Sequence, residues 1–259
     1  PWAGLDFHST TPLLATLNEV DSTICVWGFD PEQMVPKGST VHYINAKVVL
    51  VGESSVGKSG LGIRIAESQF RPTESTHGAQ FWQIPLPPQI LGPQLSLPNM
   101  RAELTVWDLA GQPEYHLIHQ LFLDDTDVAL LLFDCSDPSD PFRGVPYWAK
   151  VLKKQAPPYT QKYLISSRSD VSSVTVDRKE INRFLSQYEL DGYFNTSAKT
   201  GEGVAPLMRH ILHSIPWGKL PRTTTPRLFQ TIREFLLGRK AAGGTLISLD
   251  EITRQIHER

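Results

Sequence analysis

The chain has 259 residues, with 27 acidic against 25 basic side chains and a formal charge of −2, a balance that argues against a nucleic-acid or anionic-membrane surface. Its 40% hydrophobic and 20% charged residues are ordinary for a globular chain, and no apolar run approaches the roughly 18–20 residues a membrane-crossing helix needs. Cys25 and Cys135 lie far apart in apolar runs and no signal-peptide pattern is read, so buried thiols in a reducing, cytoplasmic setting are expected, not a disulfide-stapled fold. The chain begins at Pro1, and a segment of a longer protein is the expectation.

Residues 1–37 carry short β-type runs, LLATLN and TICVWGF, separated by a turn at Asp21-Ser22. They read as antiparallel strands of a first segment ending near Lys37-Gly38. From about Asn45 to Trp217 strand-like and helix-like runs alternate. The strands read AKVVLVG, AQFWQIPL, AELTVWDLA, DVALLLFDC, KYLISS and GYFNTSA, several of them apolar throughout, as in a sheet covered on both faces. Ile181, Phe184, Leu185 and Tyr188 mark one face of a helix, and Val204, Leu207, Met208, Ile211, Leu212 and Ile215 mark another. The stretch PLPPQILGPQLSLPN is too rich in proline for either element and reads as an extended loop. The pattern predicts an α/β fold: a six-stranded, mainly parallel sheet with helices on both faces. Residues 218–259 read as the helical start of a following domain, with Leu228, Phe229, Ile232, Phe235 and Leu236 at helical spacing. Ser248 and Glu251 form a capping-box pattern ahead of a last short helix.

The first chemical signal is the loop after the first of those six strands. Gly52 to Ser59, GESSVGKS, fits G-x-x-x-x-G-K-[ST]. Glycines at its ends let the backbone bend, so that amides from Ser54, Ser55 and Val56 through Gly57 to Gly60 make a concave anion site at a helix N-terminus. Lys58 supplies a point charge to β- and γ-phosphates, and the Ser59 hydroxyl suits Mg2+. The second signal, WDLAGQ, closes the third strand of that series. Asp108 is placed to reach the metal through water, the Gly111 N–H to meet a γ-phosphate, and the Gln112 amide to orient an attacking water.

GESSVGKS, WDLAGQ and NTSAK, in that order, resemble the Ras-like small GTPases, P-loop NTPases that bind GTP and GDP with Mg2+. The resemblance implies that the amides of Ser197 and Ala198 meet the guanine O6, with Lys199 alongside. It implies a threonine that joins Mg2+ only when the γ-phosphate is present. Thr76, before His77-Gly78, fits best and Thr73 is the competitor. Lys58, Thr76 and Gln112 are then the catalytic set, and Ser59, Thr76 and Asp108 the metal set. The loops at Thr76 and after Gly111 become two switches that the γ-phosphate holds.

One motif departs from the family pattern. The guanine-reading N-K-x-D is here Ser167-Arg168-Ser169-Asp170. Asp170 can still accept from guanine N1–H and the exocyclic amine. Arg168 can lay its stem over the base, but serine has less reach than asparagine, so weaker affinity is expected. No arginine finger is evident, since Arg71 reads as solvated, and His116 and His119 read as surface residues. Hydrolysis is therefore expected to be slow without a GTPase-activating partner.

Within the family the nearest resemblance is to Roc, the Ras-like domain of Roco proteins, in which a following domain often mediates homodimerisation. Residues 1–37 resemble the last repeat of a WD-type β-propeller and its linker, with Trp27-Gly28 in place of Trp-Asp. That architecture implies a signalling protein whose other domains and effectors read the switch. Two other readings stay open: a scaffold that holds nucleotide without turnover, and an ATPase of another P-loop class.

Overall fold

The computed structural model describes residues 5–7, 13–17, 24–28, 40–73, 78–91, 100–111, 122–171, 176–226, 235 and 238. The chain divides into two units, Pro1–Tyr43 with Thr223–Arg259, and Ile44–Arg222.

In the first unit β1 (Leu5–Phe7), β2 (Leu13–Leu17) and β3 (Ile24–Gly28) form an antiparallel three-stranded sheet. Leu5 lies opposite Thr16 and Ala15 opposite Val26. The two runs read as strands in the sequence are β2 and β3.

Strand β4 (Thr40–Val51) starts several residues before the AKVVLVG run, and the second unit takes it up from Ile44. The helix α1 (Lys58–Glu67) follows, then β5 (Ala79–Leu86) and β6 (Met100–Leu109). After these come β7 (Val128–Asp134), α2 (Val145–Gln155), β8 (Gln161–Ser167), α3 (Arg178–Tyr188), β9 (Gly192–Asn195) and α4 (Val204–Ser214). The strand order is β5-β6-β4-β7-β8-β9. Pairings β4–β7, β7–β8 and β8–β9 are parallel, and β5–β6 is antiparallel.

One expectation is extended and one corrected. The six expected strands are all present, and Arg222–Pro226 adds a seventh, β10, which lies off their path and pairs with β4. Residues 218–259 are accordingly not helical throughout: TTT in that stretch is β-branched and suits a strand, and Thr224 Oγ1 lies 3.0 Å from His42 Nδ1. The helices expected after residue 227 fall outside the described residues, apart from Phe235 and Gly238. Of the stretch read as a proline-rich loop, Pro85 and Leu86 end β5, Pro88–Leu91 makes a 3-10 turn, and residues 92–99 lie outside the described residues.

Strand residues sort by parity into two cores. Val48, Leu50, Leu130 and Leu132 pack with Leu61 of α1 and Leu207 and Ile211 of α4. Val49, Val51, Leu131 and Phe133 pack with Trp148 and Leu152 of α2 and Ile181 and Phe184 of α3. Both faces of β4 and β7 are therefore covered, which is why their sequences are apolar without alternation. In such sheets a ligand sits beyond the carboxyl ends of the parallel strands, where the loops after β4, β8 and β9 leave. Leu130 is fully buried in β7, so Leu130→Ala should lower stability by about 2–5 kcal/mol. Urea melts followed by circular dichroism would read this, and a loss below about 1 kcal/mol would contradict the layered core.

Candidate nucleotide-binding site

The loop between β4 and α1 is defined by backbone geometry. Gly52 has φ 147°, and a Cβ there would stand 2.5 Å from the Leu132 carbonyl oxygen. Ser55 (φ 66°) and Gly57 (φ 92°) are also left-handed, and this bend gathers successive amides into a concave nest. Helix α1 has no side-chain cap, and its N-terminus opens at this loop, where an anion is favoured. Four of the loop's carbonyls are tied elsewhere. Lys58 Nζ donates to Gly52 O (2.9 Å) and Glu53 O (2.7 Å), Arg168 to Ser55 O (2.7 Å), and the Ser167 hydroxyl to Val56 O (2.5 Å).

Lys58 is nearly buried. Burial pulls its ammonium down to about 8, while the carboxylates of Asp108 and Glu53 push it back up. An arriving polyphosphate would favour the charged form further. Asp108, near the end of β6, is fully buried and accepts a 2.6 Å hydrogen bond from Ser59 Oγ. Gly111 lies directly against the loop, where a Cβ would stand 2.4 Å from Ser54 N and from the Glu53 carbonyl carbon. Only glycine allows that approach.

Beside the loop is a cavity of about 290 Å³. Gly57 and Gly60 line it, as do Phe70, Thr73, Arg168, Asp170, Ala198 and Lys199. Of the sequence-derived nucleoside residues, Arg168, Asp170, Ala198 and Lys199 thus meet at one cavity with the phosphate loop. Asp170 Oδ1 accepts from Ser197 Oγ at 2.5 Å. The Ser197 N–H donates to Glu202 O at 3.0 Å. In the described fold Ser197 therefore orients the carboxylate and has its own amide engaged, a different part from the base-reading amide expected of it. Arg168 lines the cavity while its guanidinium binds Asp134 Oδ2 (2.7 Å) and Ser55 O.

Ser167, where the family pattern has asparagine, holds the loop through its hydroxyl. Its hydroxyl lies 2.5 Å from Val56 O and 2.9 Å from Phe133 O, so the smaller side chain still connects β8 to the phosphate loop, with one proton serving either carbonyl. Thr73 is exposed at the cavity. Thr76, Gln112, His116 and His119 lie outside the described residues. Phe70, Asp134 and Arg64 were not singled out from the sequence. An aromatic in the polar stretch just after α1 was the one available signal for Phe70, whereas the other two depend on tertiary contacts.

The left-handed loop at a helix N-terminus, its lysine, and the carboxylate–hydroxyl pair beside it define a P-loop nucleotide-binding fold. Residues 47–216 match the model of the Ras family. The chain belongs to that family. It is 30% identical over 174 residues to the Ras-related protein Rab-21 of Geodia cydonium, covering 66% of this chain and 71% of that protein. To the GTP-binding protein ypt5 of Schizosaccharomyces pombe it is 31% identical over 176 residues, covering 67% and 79%. To the putative ras-related protein Rab-5B of Dictyostelium discoideum it is 28% identical over 165 residues, covering 64% and 72%. Among the described residues no helix is long and apolar enough to cross a membrane.

Ser167→Ala should cost about 1–3 kcal/mol, because buried carbonyls of the loop and of β7 lose their donor. Equilibrium unfolding in urea checks this, and a change under about 0.3 kcal/mol would mean the hydroxyl does not hold the loop.

Proposed function

We propose that the chain is a Mg2+-dependent guanine-nucleotide switch domain that hydrolyses GTP to GDP and phosphate, slowly unless a partner assists. The observation that carries the reading is one cavity bounded by a phosphate loop, Gly57 and Gly60, and by base-directed groups, Asp170 and Ala198, in a chain of the Ras family.

The donor set fits Mg2+. Among the described residues no three His, Cys, Asp or Glu side chains cluster, as an all-protein cage would need. A hydroxyl and one buried carboxylate beside a phosphate site suit a hard cation that keeps waters and takes phosphate oxygens. Ser59 and Thr76 would hold it directly, and Asp108 through water. When bound, Mg2+ neutralises charge on the phosphoryl oxygens.

The chain's own residues do the rest. Loop amides and Lys58 bind and orient the β- and γ-phosphates. Gln112 orients the attacking water. Asp170 accepts from guanine N1–H and the exocyclic amine, a pair of donors adenine lacks. The Ala198 N–H donates to O6, with Ser197 holding Asp170 in place. The loops at Thr76 and after Gly111 carry the γ-phosphate signal to effectors and to the rest of the protein.

We place the domain at 45–217 within a larger cytoplasmic signalling protein of Roc type, with 1–37 as the remnant of a WD-type blade. The sheet β1–β3 is compatible with such a blade and the early start of β4 with a domain entry. Residues 218–259 would then open a following, dimerising domain.

Thermal unfolding with Mg2+ and GDP, GTP or ATP tests the nucleotide. Ligand at about a thousand times its Kd adds roughly 4 kcal/mol, or about 8–16 °C in a domain of this size. A larger shift with ATP than with GTP would overturn the guanine assignment. Gln112→Leu should cut phosphate release at least about tenfold and leave GTP binding intact. A wild-type chain that binds GTP and releases no phosphate would favour the scaffold, for which the departure at Ser167 is the supporting observation.

A further inference from the structure

The turn after β9 is fastened by an arginine that belongs to none of the motifs. Arg64, near the C-terminal end of α1, donates from Nε to Ala198 O (2.6 Å) and from Nη2 to Lys199 O (2.6 Å). Its Nη1 donates to Ser68 O at 2.8 Å. One planar fork thus joins two chain segments that border the cavity. On one side is the turn carrying Ala198 and Lys199. On the other, Ser68, in a left-handed conformation (φ 57°), leads the chain out of α1 towards Phe70. Both segments close on Gly60, where an added Cβ would meet the Ala198 Cβ at 3.6 Å and the Phe70 ring at 3.7 Å.

Much of that turn's main chain is already engaged. Ser197 N–H donates to Glu202 O, Gly201 N–H to Ser197 O, and Thr200 N–H to Ser197 Oγ. Arg64 takes the carbonyls of Ala198 and Lys199. Among the described residues the Ala198 N–H has no partner within the chain. A helix C-cap explains only the bond to Ser68. The two 2.6 Å bonds to a distant turn need another reason.

We propose that Arg64 is a positioning residue for the nucleoside. By holding the Ala198 and Lys199 carbonyls it fixes the Ala198 N–H at the cavity, and through Ser68 it fixes the segment that carries Phe70. Base selectivity is then set partly by a side chain that need not touch the base. This rests on the guanine-nucleotide reading above. Lysine cannot replace the fork, because a point charge on a flexible stem does not span three carbonyls in fixed geometry.

The test is equilibrium binding of GDP and of ADP, both with Mg2+, to the purified chain and to Arg64→Met and Arg64→Lys. Wild type should prefer GDP. In Arg64→Met the affinity for GDP should fall roughly tenfold or more, the scale of a lost charge-assisted hydrogen bond. ADP, which has no O6, loses only what the Phe70 segment contributes and should weaken clearly less than GDP, so the GDP-to-ADP ratio drops. Arg64→Lys keeps stem and charge, guards against a misfolded methionine variant, and should show the same drop to a smaller degree. Equal weakening of both nucleotides would show an arginine that only supports the fold and would overturn the inference. So would an unchanged ratio in the two variants of a chain whose wild type prefers GDP. A wild type without that preference would overturn the guanine reading and this inference together.

Discussion

The site depends on where the phosphate loop sends its carbonyls. In a trans peptide the C=O and the following N–H point in opposite directions, so a loop that is to present amides to an anion must settle its carbonyls elsewhere. Here Gly52 O and Glu53 O accept from Lys58, Ser55 O from Arg168, and Val56 O from Ser167. The Gly57 carbonyl is taken by the Leu61 N–H as α1 begins. The amides that follow these carbonyls are thereby fixed before any ligand arrives, which reduces the ordering cost of binding.

The same contacts tie the loop to β8, whose last residue is Ser167 and whose next two positions lead to Asp170. Phosphate loop and base-directed loop are therefore one hydrogen-bonded assembly. Ser167 spans β8, β7 and the loop with a single hydroxyl, and Arg168 adds Asp134 at the end of β7 to the set. Arg64 does the corresponding work for the turn after β9. Two arginines and a serine, each bonded to main-chain carbonyls, hold the three loops that border the cavity.

The fold was legible where burial is two-sided. VALLLFD in β7 and VVLV in β4 lie between two helical layers and carry no polar residue until the strand ends, so periodicity and length identified them. The motif residues of the phosphate loop were legible because their chemistry is local: glycine for a positive φ, lysine and serine for a phosphate and its counter-ion. What the sequence hid was long-range. Nothing near Arg64 in the chain announces carbonyl partners more than 130 residues away. Ser197 matched a motif whose backbone was expected to read a base, yet Glu202 takes its N–H, a contact within the turn that no spacing rule reveals. Arg222–Pro226 fell inside the stretch read as a helical start because a proline-flanked TTT run gives too short a strand signal without its partner β4.

In the proposed function a preformed polyphosphate cage would be the main source of affinity, with the base adding selectivity. The most direct measurement compares GDP with guanosine by calorimetry in the presence of Mg2+. A cage of main-chain amides plus Lys58 predicts that guanosine binds at least about a thousandfold more weakly, a gap of about 4 kcal/mol. Similar affinity for the two would contradict it.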